Sequence, residues 1–119
     1  SISMGSVGYV YVPTACQNGT KCSLHIALHG CNQTLADIGK DYVTKLGLNE
    51  LAEANDIVIL YPQVKKSLMS PMNAEGCWDW WGYTTPGLLP ISNSKDFVTK
   101  KGPQMAAIWK MAQALAKAS

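Results

Sequence analysis

The sequence IVILYP, residues 57–62, is the stretch that decides the fold. Its five consecutive apolar residues, three of them β-branched, predict a strand that ends at the proline. An apolar run without polar alternation is typical of a strand buried on both faces of a parallel sheet. Residues 38–55, immediately before it, carry apolar side chains at roughly helical spacing, with an interruption at Gly47.

Further elements are predicted on both sides of this unit. Residues 8–12 and 22–28 have the composition of strands, and residues 102–117 have apolar side chains at helical spacing. The order strand, helix, strand with a right-handed crossover predicts a parallel α/β sheet. Residues 63–101 show no periodicity and hold three of the four tryptophans. Because a loop of this length is often functional, we expect a site there.

The composition excludes several classes of protein. The 119 residues are 47% hydrophobic and 15% charged, which allows one domain with a buried core. A formal charge of +2 without any arginine predicts neither nucleic-acid binding nor a bidentate phosphate clamp. No apolar run reaches the roughly 20 residues that span a bilayer, so we expect no membrane segment. The N-terminal residues do not resemble a signal peptide, which we expect to lie upstream or to have been removed.

The chain has four cysteines: Cys16, Cys22, Cys31 and Cys77. No two of them are spaced as CxxC, and the two histidines are not spaced to complete a zinc site, so no metal is expected. Two disulfides in an oxidising compartment are the favoured interpretation; four buried free thiols are the alternative. Of the three possible pairings, a local bridge across the turn-forming residues 17–21 would leave the other two cysteines to pair.

The first candidate site is Leu28-His29-Gly30-Cys31, at the end of a predicted strand. Ligands bind beyond the carboxyl ends of strands in doubly wound sheets, and a glycine there lets the backbone turn and present free amides to a developing oxyanion. In α/β-hydrolases an HG motif at this place supplies an oxyanion-hole amide. The alternative is a turn that merely ends the strand with a hydrogen-bonded histidine.

The second candidate is GCWDWWGY, residues 76–83. Its tryptophans could form a platform for an apolar or sugar-like ligand, or a small core that packs the loop onto the sheet. Asp79, between two of them, is either a catalytic carboxylate or a turn residue that accepts from backbone amides. A GxSxG nucleophile motif is absent, and His25 is expected to be a packed core histidine, so no catalytic triad can be assembled.

Taken in order along the chain, these motifs resemble one family. YVYVP (9–13), LHIALHGCNQ (24–33), ILYPQ (59–63), GCWDW (76–80) and GPQMAAI (102–108) resemble the secreted poly(3-hydroxybutyrate) depolymerases and related esterases, most closely the fungal, circularly permuted type. The resemblance implies a partial α/β-hydrolase fold, a parallel-sheet segment with flanking helices and a long tryptophan-rich loop. Residues 1–119 would be one segment, about half of a hydrolase domain, without the nucleophile.

The resemblance also implies roles for individual residues. The Cys31 backbone N–H would be an oxyanion-hole donor, fixed by a Cys31–Cys77 disulfide, and Cys16–Cys22 would be a structural bridge. Trp80 would line the substrate cleft, and we expect Trp78 and His29 to contact substrate as well.

The activity that the resemblance implies is hydrolysis of poly(3-hydroxybutyrate) or similar short-chain esters by a secreted serine esterase. No cofactor is implied, and the partners would be the ester substrate and the missing half of the domain. Because the triad has no counterpart here, we expect the isolated chain to be inactive. Feruloyl or acetylxylan esters are alternative substrates. A non-catalytic module binding polyester or polysaccharide through Trp78, Trp80 and Trp81 is an alternative from another class.

Overall fold

The computed structural model describes residues 2–69, 72–85 and 95–118. A three-stranded sheet contains Tyr9–Tyr11 (β1), Ser23–Ile26 (β2) and Ile57–Tyr61 (β3), in the order β1-β3-β2. The central strand β3 has the bounds that the sequence predicts. It pairs in parallel with β2, with Ser23 opposite Ile57, and antiparallel with β1, with Tyr9 opposite Tyr61.

The predicted parallel pairing is confirmed for β2 and β3, but β1 runs antiparallel to β3, so the sheet is mixed rather than parallel throughout. Only a short connection with one turn of 3₁₀ helix, Ala15–Asn18, joins β1 to β2. It carries the chain past the end of β3 to the opposite edge of the sheet, so the two outer strands run in opposite directions.

The helical stripe predicted over residues 38–55 is three short helices, Leu35–Ile38 (α1), Asp41–Lys45 (α2) and Leu48–Asn55 (α3). Gly39 and Gly47, with φ values of 58° and 76°, separate them. These left-handed conformations are open to glycine at little cost, and they interrupt the helical path. A second 3₁₀ turn, Lys95–Val98, precedes the long helix Pro103–Ala118 (α4).

The main core lies between the sheet and the three short helices. It is formed by five buried side chains: Ala27, Val43, Ala52, Ile59 and Tyr61. The Tyr61 hydroxyl donates to Asn49 Oδ1 at 2.7 Å, which ties the centre of the sheet to α3. Burial raises the pKa of Tyr61, so its hydroxyl is held as a donor.

The outer edge of β2 is the least covered part of the sheet. All four of its residues are exposed, and no strand within the described residues pairs with its outer edge. His25 is among them, so the expectation of a packed core histidine is wrong: β2 lies at an edge with solvent on both faces. The radius of gyration is 15.8 Å, whereas a compact domain of this length has about 13.5 Å.

No helix in the described ranges is both long enough and apolar enough to cross a membrane.

Candidate functional site

The residues that follow β2 form a loop held by side chains from elsewhere in the chain. The Tyr42 hydroxyl donates to the Leu28 carbonyl at 2.6 Å, and the Trp78 indole N–H donates to the His29 carbonyl at 3.0 Å. Ordinary sheet pairing would engage these carbonyls with a neighbouring strand. Here the two carbonyls accept hydrogen bonds from side chains instead, so the start of the loop is held in place although it is not part of the sheet.

His29 braces this loop from within. Its side chain is only 2% exposed; Nε2 accepts the Val64 N–H at 3.2 Å, and Nδ1 lies 2.8 Å from the Gly30 carbonyl. Acceptance at Nε2 fixes the tautomer, because Nδ1 then carries the proton and donates. The imidazole also packs against the Trp78 ring at 5.4 Å between centroids. The interpretation of His29 as a hydrogen-bonded histidine that ends the strand describes this geometry better than a substrate contact does.

Cys31 lies between two backbone amides that are both engaged. The Gly30 N–H donates to Gln33 Oε1 at 2.7 Å, and the Asn32 N–H donates to the Glu75 carbonyl at 2.7 Å. Cys31 itself is exposed, and no acceptor for its N–H is found in residues 2–69, 72–85 or 95–118. One unpaired amide between two fixed ones is a preorganised donor, which is what an oxyanion site requires.

Two disulfides are present. Cys16 is bonded to Cys22 across the turn between β1 and β2, and Cys31 is bonded to Cys77, with a Cα–Cα distance of 4.3 Å. The second bridge joins the loop after β2 to the tryptophan segment, residues 76–84. Trp80 follows Cys77 by three residues, so the Cα atoms of the two residues are no more than roughly 11 Å apart.

A buried polar cluster anchors the tryptophan segment. Asn73 is 1% exposed; its Oδ1 accepts the Cys77 N–H, and its Nδ2 donates to the Cys77 carbonyl and to the Tyr83 hydroxyl. The Tyr83 hydroxyl donates to the same carbonyl at 2.6 Å, and burial raises its pKa. Gln104, in the first turn of α4, accepts the Asp79 N–H and donates to Tyr83. The segment is thus attached to the helix as well as to the disulfide.

Asn73 and Gln104 are functional candidates that the sequence reasoning missed. Both are polar residues with no periodic or spacing signal of their own, although Gln104 belongs to the GPQ triplet at the predicted helix start. Their importance appears only when the fold brings them to the same buried cluster.

The three tryptophans of the segment differ in exposure. Trp78 is half-buried and packs against His29, whereas Trp80 is 71% and Trp81 is 39% exposed. The Trp80 and Trp81 rings meet edge to face at 5.2 Å, and Trp81 contacts Tyr83 at 4.6 Å. This arrangement presents an apolar surface whose outermost ring is Trp80 and whose inner end is buried.

A small cavity of about 80 Å³ lies beside Trp78, where the loop after β2 meets the start of α4. Most of its lining is apolar and includes Leu28, Phe97, Met105 and Ile108. Within the residues that the structure describes, no group of three histidine, cysteine or acidic side chains is placed to hold a metal ion.

Comparison with known proteins confirms the resemblance to poly(3-hydroxybutyrate) depolymerases. The chain is 44% identical over 107 residues to a poly(3-hydroxybutyrate) depolymerase of Delftia acidovorans and 42% identical over 116 residues to a polyhydroxybutyrate depolymerase of Talaromyces funiculosus. Each alignment covers 88% of this chain, but only 19% and 31% of the respective relative. The chain thus spans about a fifth to a third of the length of these relatives. No protein-family model matches the chain.

Two solved structures give the same result. The crystal structure of PHB depolymerase from Penicillium funiculosum matches with a TM-score of 0.76 and 37% identity. A serine-to-alanine variant of a PHB depolymerase complexed with an R3HB trimer matches with a TM-score of 0.72 and 36% identity. Both matches cover 91% of this chain and 34% of the solved chain. The mixed sheet with its helices therefore corresponds to part of a PHB depolymerase.

Proposed function

We propose that this chain is a segment of a secreted serine esterase that hydrolyses poly(3-hydroxybutyrate) or a similar short-chain polyester. The similarity to PHB depolymerases from two organisms supports the reaction class. The complex of a related enzyme with an R3HB trimer supports a polyester substrate. Two disulfides in a small chain support an extracellular location, because such bonds persist in oxidising compartments.

The observation that carries the proposal is the Cys31 N–H, unpaired among the described residues and held between two engaged amides. In our proposal this amide donates to the carbonyl oxygen of the ester as that oxygen becomes negative. Because the loop is fixed before substrate arrives, little reorganisation accompanies the reaction. A donor of this kind contributes about 3 kcal/mol of barrier reduction in comparable enzymes.

The remaining chemistry belongs to residues outside this chain. A serine hydroxyl attacks the ester carbonyl carbon while a histidine takes its proton, and a tetrahedral intermediate forms. Its oxyanion lies against the Cys31 N–H. Collapse expels the alcohol, which receives the proton from the histidine, and water then releases the acid from the acyl-enzyme by the same steps. The reaction uses no metal or organic cofactor.

We propose that Trp80 forms an aromatic wall for the polyester. Methyl and methylene groups along the polymer would bury apolar surface against its exposed ring, at roughly 25 cal/mol per Å². The Cys31–Cys77 bridge supports this role, since it ties the oxyanion loop to the segment that carries Trp80. Trp78, whose indole braces His29, would line the inner part of the same cleft.

In this proposal the rest of the hydrolase domain covers the outer edge of β2. Leu24 and Ile26 are 39% and 36% exposed on that strand, although parallel sheets normally have both faces covered. A parallel strand paired with this edge, with its crossover helix packed on the face of β2, would cover these side chains and would bring the missing nucleophile to the same end of the sheet as Cys31. Residues 1–119 would then be one segment of a larger domain, inactive by itself.

The test is the substrate range of the full-length protein that contains this segment. We expect it to clear a film of poly(3-hydroxybutyrate) and to be inactivated by a serine-directed reagent. Release of ferulate or acetate from plant-wall esters without film clearing would instead establish the alternative substrate class. Turnover of a short-chain nitrophenyl ester by the purified 119-residue chain would contradict the assignment of the nucleophile to another part of the protein.

A second candidate function is a binding module without catalysis. The exposure of Trp80 and Trp81 favours it, because neighbouring exposed indoles offer a surface to a polymer. Retention of the full-length protein on polymer particles, with no hydrolysis of any ester, would support the module and contradict the esterase.

A further inference from the structure

We propose that Asp79 is a positioning residue that fixes Trp80 for polymer contact; this inference rests on the proposed function, in which Trp80 forms the substrate wall. Asp79 lies between Trp78 and Trp80 in the sequence. Its carboxylate is only partly exposed and is turned toward the backbone that follows it rather than toward an ion partner.

Five hydrogen bonds converge on this carboxylate. Oδ1 accepts the backbone N–H groups of Trp81, Gly82 and Tyr83 at 3.2, 2.6 and 3.0 Å. Oδ2 accepts the backbone N–H of Thr84 at 3.0 Å and its hydroxyl at 2.5 Å. Both oxygens are therefore occupied by the turn that carries the exposed tryptophans, and neither is directed to a reacting group. This geometry assigns Asp79 to holding the turn, not to acid or base catalysis.

The turn is also fixed from its backbone side. The Asp79 N–H donates to Gln104 Oε1 at 2.8 Å, and Gln104 Nε2 donates to the Tyr83 hydroxyl at 2.7 Å. One side chain of α4 thus holds the first and the last residue of the stretch 79–83. Gln104 and the Asp79 carboxylate together determine where this stretch can lie.

Trp80 depends on this support because its own ring is 71% exposed. The ring contacts Trp81, which contacts Tyr83, whose hydroxyl is buried in the polar cluster. The row of rings is consequently anchored at its inner end and held along its backbone by Asp79. A rigid aromatic side chain loses less conformational entropy when it binds a ligand, so fixing the turn strengthens binding of an extended polymer.

The groups that surround the side chain of residue 79 all donate hydrogen bonds, which favours an aspartate over an asparagine. A carboxylate only accepts, whereas a side-chain amide has one accepting oxygen and an NH₂ group that donates. In Asp79→Asn the oxygen can still accept the three amides on the Oδ1 side. The NH₂ group would then face the Thr84 N–H, which leaves two donors opposed and loosens the turn.

The experiment uses the full-length protein with Asp79→Asn, Trp80→Ala and the double variant. The activities measured are hydrolysis of poly(3-hydroxybutyrate) particles and of a soluble short-chain nitrophenyl ester. We expect Asp79→Asn to raise the half-saturating polymer concentration by roughly threefold to tenfold. The kcat for the soluble ester should change less than about twofold, because that substrate does not need the outer wall. Asp56→Asn, which removes one negative charge at a left-handed position that asparagine accepts, is the control and should change neither activity.

The double variant distinguishes positioning from a separate role. If Asp79 acts through Trp80, the double variant should resemble Trp80→Ala alone, whereas additive losses would overturn the proposal. If Trp80→Ala alone weakens polymer hydrolysis and Asp79→Asn does not, only the positioning role fails. If Trp80→Ala has no effect on polymer hydrolysis, the aromatic wall of the proposed function is contradicted, and the positioning role of Asp79 with it.

A second pair of variants keeps the test independent of folding problems in Asp79→Asn. Thr84→Val removes the hydroxyl donor to Oδ2 but keeps the backbone N–H, and Thr84→Ser keeps both. We expect Thr84→Val to raise the half-saturating polymer concentration by a smaller factor than Asp79→Asn does, and Thr84→Ser to leave it at the value of the unaltered protein. Equal behaviour of the two Thr84 variants would overturn the proposal.

Discussion

The indole N–H of Trp78 donates a hydrogen bond to the backbone carbonyl of His29 across 3.0 Å, between residues 49 positions apart in the chain. The two residues belong to the two motifs that the sequence singles out, and the bond joins them directly. The Cys31–Cys77 disulfide makes the second connection between the same two segments. The loop with the candidate oxyanion donor and the segment with the candidate substrate wall therefore form one unit.

Replacement of Trp78 by phenylalanine tests the bond to His29. The variant keeps an aromatic ring but removes the N–H donor, so the His29 carbonyl loses its partner. We expect the free energy of unfolding to fall by about 1 kcal/mol and kcat for a soluble ester to fall roughly tenfold in the full-length protein. Denaturant unfolding and steady-state kinetics measure both effects. Trp109→Phe, at an exposed position on α4, is the control; equal losses in both variants would mean that the Trp78–His29 bond contributes to neither stability nor kcat.

The proposed role of the Cys31 amide is tested by comparing Cys31→Pro with Cys31→Ala. Both variants break the disulfide, but only proline also removes the backbone N–H. We expect kcat for Cys31→Pro to be about 10² to 10³ lower than that for Cys31→Ala, the loss typical of one oxyanion donor. An amide-to-ester replacement at residue 31 exchanges the N–H for oxygen and keeps the cysteine side chain. It should lower kcat by a similar factor relative to the unaltered protein. Equal kcat values for all three variants would remove Cys31 from the oxyanion site.

Substitution of Trp80 by alanine tests the aromatic wall. We expect slower hydrolysis of polymer film and little change with a soluble short ester, because only the polymer reaches the outer ring. Loss of one well-placed aromatic contact costs about 1 to 3 kcal/mol, or roughly fivefold to 150-fold in polymer binding. Trp109→Ala removes a comparably exposed indole from α4 and should leave polymer hydrolysis unchanged. Equal rates for Trp80→Ala and the unaltered protein would mean that this ring does not contact substrate.

The two disulfides should differ in their contribution to stability. The Cys31–Cys77 bridge spans a sequence separation of 46 residues and the Cys16–Cys22 bridge one of 6. In the chain-entropy model the longer loop contributes about 4 kcal/mol and the shorter one about 2 kcal/mol. Paired alanine substitutions of each bridge, compared by denaturant unfolding of the full-length protein, measure the difference. A greater loss from the Cys16–Cys22 pair would contradict the ranking.

Asp37 gives the stability a dependence on pH. The ammonium group of Lys66 and the Thr34 hydroxyl hold the pKa of Asp37 below its ordinary value of 3.8. A carboxyl with a lowered pKa in the folded state stabilises the protein above that ordinary value, and the contribution is lost as the pH falls through the lowered one. Asp37→Asn should therefore destabilise the protein at pH 6 and have a diminishing effect below pH 3.8. Unfolding curves at both ends of this range give the measurement, and a constant difference between the proteins would contradict it.

Part of the fold could be predicted because it depends on local pattern. The run from Ile57 to Tyr61 is a strand with the predicted bounds, since a short β-branched run that ends at proline has few alternatives. The direction of β1 could not be predicted in the same way. The direction of β1 depends on where the eleven-residue connection after it places the next strand, and the residues 9–11 themselves carry no signal for this.

The candidate site shows the same division. The motifs around Cys31 and Trp80 are visible in the sequence because their residue types are unusual in those places. The partners of Asp79 and the burial of Asn73 are not visible, because hydrogen bonds to backbone groups leave no side-chain pattern. His25 shows the converse error. Its place in an apolar strand suggested burial, whereas exposure depends on which strand lies at the edge.

The free edge of β2 has a consequence for the biosynthesis of the protein. No strand among the described residues pairs with this edge, so it offers a row of open N–H and C=O groups, flanked by the exposed side chains of Leu24 and Ile26. Such a row is a template for strand-to-strand association between nascent chains. Aggregation and pairing within one polypeptide would thus compete for the same few backbone groups, and the faster process would determine the yield of folded protein.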